Sequence, residues 1–90
     1  MEKNLHQALD DILSKPGVSG VLCADENGLC LASKGSVDRS TSGSLVHLMQ
    51  LASSLEPSKS PILRLESDAK DILIQNEGGL TLAVVRNNKK

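Results

Sequence analysis

No phenylalanine, tyrosine or tryptophan occurs anywhere in these ninety residues. Any core must therefore be assembled from Leu, Ile, Val, Met and Ala, which fill space only by close interdigitation of many small side chains. Fifteen leucines within a hydrophobic fraction of 39% are enough for that, and a chain this short builds one core, so a single domain over 1–90 is expected. The same absence removes the stacking platform that single-stranded nucleic acid needs. A net charge of −1 removes the basic footprint that duplexes need. No apolar run approaches the length of a membrane span, and Met1-Glu2-Lys3-Asn4 is too polar to open a signal peptide. Gly does not follow Met1, and Lys89-Lys90 are not a prenylation box, so neither myristoylation nor prenylation is expected. With two cysteines only, a disulfide scaffold is excluded, and the chain is expected in the cytosol, held at any membrane by another protein.

Hydrophobic spacing divides the chain into seven elements. Leu5, Ala8, Leu9, Ile12 and Leu13 form one apolar stripe, which predicts a helix over 4–15, capped by Asn4 and ended by Pro16-Gly17. Residues 18–24 read as a strand. Asp25-Glu26-Asn27-Gly28 suits a type I turn closed by a left-handed glycine, and Leu29 to Lys34 returns as the second strand. The serine-rich stretch 35–44 reads as a loop leading into a helix capped by Asp38 or a serine, or as a phosphorylated loop. A helix over 39–55 follows, stopped by Pro57. Its apolar positions Leu45, Val46, Leu48, Met49, Leu51, Ala52 and Leu55 span about 220° at 100° per residue. A helix resting on one sheet needs a stripe of little more than 100°, so this one is expected to pack on two surfaces. The second surface is either the first helix or another protein. Three strands close the chain, over 61–66, 71–75 and 80–86. Pro61 suits a sheet edge for the first, and small or apolar residues on both faces suit a central position for the last. Residues 87–90 are a frayed basic tail.

Catalytic chemistry has no visible carrier. His6 and His47 fall on polar helix faces, and Asp10 and Asp11 are helical neighbours that do not face each other. There is no phosphate-binding glycine loop, no dinucleotide fingerprint and no zinc spacing, so no cofactor and no metal are expected. Cys23 and Cys30 remain. A four-residue loop between Ala24 and Leu29 sets them opposite each other, either as small hydrophobes in a reducing compartment or as a redox pair. On the residues alone this is a small interaction module.

Three stretches carry a more specific likeness: Gly20-Val21-Leu22-Cys23-x-Asp25-x-x-Gly28-Leu29, then Leu65-Glu66-Ser67-Asp68, then Ile72-x-Ile74-Gln75-x-x-x-Gly79-Leu80-Thr81-x-Ala83-Val84. In this order and spacing the chain closely resembles the hepatitis B virus X-interacting protein family, the small roadblock-like subunits of the Ragulator complex. The likeness runs from the first helix through the last strand. It implies an α/β roadblock/longin-like sandwich in the order α-β-β-α-β-β-β, with a five-stranded, mainly antiparallel sheet and two helices. It implies no catalytic residues. In that fold the strand after the second helix pairs with its counterpart in a partner, and the second helices pack together. The implied partner face is Val46, Met49 and Leu51 on the helix and Ile62, Leu63, Arg64, Leu65 and Glu66 on the strand. Arg64 departs from the apolar or cysteine residue the likeness leads to, and suits an acidic group on a partner. Cys30 replaces a polar residue, and Ser33 stands near the place of a second family cysteine.

By the same likeness the chain forms a heterodimer with another roadblock subunit. That pair belongs to a scaffold wrapped by a lipidated subunit at the cytosolic face of the lysosome. The scaffold recruits Rag-type GTPases, and through them TOR complex 1, in amino-acid signalling. The competing reading is a homodimeric roadblock adaptor of the dynein-light-chain or GTPase-regulator kind.

Overall fold

The computed structural model describes residues 2–55 and 61–87. Pro57 and residues 88–90 of the expected tail lie outside them, whereas Asn87, expected to fray, ends the last strand and donates its N–H to the Gly17 carbonyl at 2.8 Å. The elements are α1 (Glu2–Leu13), β1 (Val18–Ala24), β2 (Cys30–Gly35), a 3-10 turn (Arg39–Thr41), α2 (Ser42–Leu55), β3 (Ile62–Glu66), β4 (Lys70–Glu77) and β5 (Leu80–Asn87). All expected elements form, in the expected order. The strands make one sheet in the order β2-β1-β5-β4-β3, with every pairing antiparallel. β5 is central, as its two apolar faces require, and β3 is an edge, as Pro61 at its entrance allows.

Alternation along the strands splits the core into two. Val21 and Cys23 of β1 meet Leu9 of α1 and Ala32 of β2, whereas Leu22 and Ala24 meet Leu45, Val46 and Met49 of α2 with Ile74 and Ala83. The helices therefore lie on opposite faces of the sheet. Burying Leu9, Leu22, Met49 and Ile74 completely contributes about 1.5–3 kcal/mol each, which is how an aromatic-free chain gathers a core.

Local details depart from the expected boundaries. α1 begins at Glu2, so Asn4 lies inside the helix and not at its cap. Its end tightens: Ser14 N–H still donates to Asp10 at 3.0 Å, but Lys15 N–H donates three residues back to Ile12 at 3.1 Å. Gly17 then reverses the chain at φ +85°. Before α2, Asp38 caps the 3-10 turn by accepting from Ser40 N–H at 3.0 Å, and Ser42 Oγ donates to the Gly28 carbonyl at 2.7 Å. Gly35, at φ +80°, lies opposite Gly20; a side chain at either position would run into the neighbouring backbone.

Candidate partner-binding surface

The eight residues expected on a partner face separate into two groups. Val46 and Met49 are 5% and 1% exposed and lie beneath α2, in the chain's own core. They touch the sheet because Leu45, Val46, Met49 and Ala52 form the buried stripe of the helix. Leu51, by contrast, is 51% exposed on the outer side, with Leu55 at 81% and Leu48 half-buried beside it. Leu48, Leu51 and Leu55 recur at i, i+3 and i+7, which places them along one line. α1 does not cover that line, since it occupies the other face of the sheet. Leu48 and Leu55 were absent from the expected set, although the same helical spacing that exposed the wide arc also identifies them.

The five β3 residues lie on an edge with β4 on one side and no described element on the other. Leu63 and Leu65 pair with Ile74 and Ile72 and so point to the α2 face. Ile62, Arg64 and Glu66 point to the α1 face, opposite Gln75, Leu73 and Asp71. Ile62 is 65% exposed. An open edge displays unpaired backbone donors and acceptors and is a template for another strand. The second edge, β2, is less available. The 3-10 turn packs against it, and Arg39 Nη2 donates to the Cys30 carbonyl at 3.4 Å.

Arg64 is tied down from within. Its Nη2 donates to Asp71 Oδ2 at 2.7 Å and to Glu66 Oε2 at 3.2 Å, and Arg86 Nη2 reaches the same Asp71 oxygen at 3.4 Å. The Asp71 side chain is 5% exposed. Hydrogen bonding to Asp71, and then its charge and that of Glu66, push the Arg64 guanidinium pKa upward, so it is a permanent cation. Asp71 Oδ1 and Arg86 Nε are buried without a hydrogen-bond partner. Sequence reading puts Asp71 at the start of a strand but gives it no role, because its partners Arg64 and Arg86 lie on other strands.

Cys23 and Cys30 do not face each other. Cys23 pairs with Ala32 on the α1 side, and Cys30 pairs with Ala24 on the α2 side. The loop between the strands has five residues, since Asp25 accepts from both Asn27 and Leu29 N–H through Oδ1. A bulge then inserts Leu31 as an extra residue. Loop and bulge together shift the expected register by two residues. The redox pairing is overturned by this geometry, and burial, then the nearby Cys30, push the Cys23 thiol pKa up.

His6 and His47 are exposed, as their helix faces require. Among the described residues no group of three or more His, Cys, Asp or Glu is placed to hold a metal, and no helix is long and apolar enough to cross a membrane. A cleft of about 340 Å³ lies between the start of α2 and β4–β5, lined by Val37, Leu45, Ile72 and Val85 with Thr41 and Lys70. No histidine or cysteine lines it.

Comparison with known proteins agrees with this architecture. The profile of Ragulator complex protein LAMTOR5 matches residues 1–86. The chain is 41% identical over 86 residues to the Ragulator complex protein LAMTOR5 homolog of Nematostella vectensis, covering 93% of this chain and 94% of that one. It is 41% identical over 92 residues to the homolog of Ixodes scapularis, covering the whole of both. Its fold is similar to that of a Roadblock/LC7 domain from Streptomyces avermitilis, with a TM-score of 0.80 at 15% identity, over 90% of this chain and 76% of that one. A roadblock α/β domain with a sequence this close to those relatives belongs to the Ragulator complex protein LAMTOR5 family.

Proposed function

We propose that this chain is a non-catalytic scaffold subunit that heterodimerises with a second roadblock-like subunit through β3 and the outer side of α2. One observation carries the reading. The open edge of β3 and the exposed stripe Leu48–Leu51–Leu55 occur together in a chain whose two helices are already spent on opposite faces of its own sheet. Antiparallel pairing of β3 with a partner strand satisfies the unpaired edge groups and joins two sheets into one. The α2 stripe then gains an apolar cover. The strand contributes Ile62, Leu63, Arg64, Leu65 and Glu66; the helix contributes Leu51 with Leu48 and Leu55. Val46 and Met49 serve this face from beneath, by holding α2 on the sheet.

Family membership supports the wider role. The pair works within a Ragulator-type assembly at the cytosolic face of the lysosome, wrapped and anchored by a lipidated subunit. That assembly recruits Rag-type GTPases, and through them TOR complex 1, when amino acids are available. The chain needs no cofactor for this, and inserts nothing of its own into the membrane.

Affinity purification from native cells tests the proposal, using the wild-type chain beside Leu51→Asp and Leu65→Asp. The wild type is expected to recover a second roadblock-like subunit, a lipidated subunit and Rag-type GTPases. Both variants are expected to keep their circular dichroism and lose that recovery. Recovery of dynein components, or of the chain alone, overturns the reading in favour of a homodimeric adaptor.

A further inference from the structure

Edge pairing does not by itself decide which strands β3 accepts, and the two faces of β3 answer that question differently. Toward α2 the strand offers Leu63 and Leu65, which suit any apolar counterpart. Toward the other face it reads Ile62, Arg64, Glu66, with Arg64 at the centre of five residues. In a full-length antiparallel pairing of two copies, position 64 stands opposite 64, and 62 opposite 66. Directly opposed Cβ atoms are about 4.5–5.5 Å apart, close enough for opposed like charges to weaken a pair. A second copy would therefore set guanidinium against guanidinium, flanked twice by Ile62 against Glu66.

We propose that Arg64 determines partner specificity: it disfavours pairing of β3 with a second copy of this chain and selects a different chain whose edge strand carries an acidic residue at its centre. This inference rests on the edge-pairing reading above and names the partner chemistry that reading requires. Read along its own direction, the complementary strand is basic, apolar, acidic, apolar, apolar. Its basic residue meets Glu66, its acidic residue meets Arg64, and its last apolar residue meets Ile62.

Three features keep Arg64 in place. Its Nη2 is held by Asp71 at 2.7 Å from the inner side of the strand, which fixes the guanidinium over the sheet face. Glu66 Oε2 accepts from the same Nη2 at 3.2 Å, from the same strand. Sliding two copies by two residues to bring Arg64 opposite Glu66 leaves three opposed pairs within β3 instead of five, and leaves the exposed Ile62 beyond the overlap.

Sedimentation of the purified chain tests the inference with wild type, Arg64→Lys, which keeps the charge, and Arg64→Gln, which removes it. Arg64→Gln is expected to self-associate about 2- to 5-fold more tightly than the other two, the range expected for relieving one opposed like-charge pair. Self-association of wild type and Arg64→Lys is expected to strengthen with salt, which screens the repulsion, while that of Arg64→Gln stays flat. Equal self-association of all three, or none by Arg64→Gln, overturns the inference. Hydrogen exchange of the β3 amides in the complex recovered with the native partner separates the two readings. Protected β3 amides keep edge pairing even when Arg64 proves indifferent; unprotected amides overturn both.

Discussion

Arg64 and Asp71 meet diagonally across the β3–β4 ladder, with the guanidinium Nη2 2.7 Å from the carboxylate Oδ2. Arg86 joins the same oxygen from β5, so one buried carboxylate ties three neighbouring strands together at one end of the sheet. The two guanidiniums are 51% and 42% exposed, so water can take the place of the carboxylate for much of each. Asp71→Ala is therefore expected to lower the urea midpoint only modestly, through loss of the tie between the strands. An unchanged midpoint would mean that the two arginines find water as good a partner as Asp71.

The two sides of α2 predict opposite phenotypes for the same substitution. Met49 is wholly buried, so Met49→Asp is expected to unfold the chain, and even Met49→Ala to cost about 2–5 kcal/mol. Leu51→Asp replaces a half-exposed side chain and is expected to leave the midpoint within about 0.5 kcal/mol. Thermal unfolding of both variants checks this. A well-folded Met49→Asp chain would mean that α2 does not sit on the sheet through this stripe.

The cysteines are expected to differ in reactivity and not to form a bond with each other. Burial first, and Cys30 second, raise the Cys23 thiol pKa, so little thiolate is present to react. In native-state thiol labelling at neutral pH, Cys30 is expected to react well before Cys23, and Cys23 to become labelled only on unfolding. Mild oxidation is expected to yield no bond between them, since they point to opposite faces. A Cys23–Cys30 disulfide in a peptide map would show that the hairpin takes another register.

Asp38 makes stability depend on pH. Its hydrogen bonds from Ser40 hold its pKa below the ordinary 3.8, because they favour the charged form. A carboxylate with a lowered folded-state pKa stabilises the fold above its ordinary value and loses that contribution as pH falls through the lowered one. Asp38→Ala is thus expected to be less stable than wild type at neutral pH, with the gap narrowing as pH drops below 3.8. Urea midpoints across that range check the sign, and a gap that widens in acid would contradict the cap.

Sequence by itself determined the element order, the central place of β5, the edge place of β3 and the excess apolar width of α2. These follow from periodicity and from proline and glycine chemistry, which act over a few neighbouring residues. Tertiary structure alone decided which part of that width is core. Val46 and Leu51 are equally apolar in sequence, and only the docking of α2 on β1, β4 and β5 buries one and exposes the other. It also decided the hairpin register, since a five-residue loop and a one-residue bulge together moved Cys30 to the opposite face from Cys23. Asp71 drew its role from residues at both ends of long separations, Arg64 on β3 and Arg86 on β5, which become neighbours only when the sheet has formed. Local pattern specifies which segments bury a face; the choice of face and partner is a free-energy comparison among whole-chain arrangements, and no short window of sequence contains it.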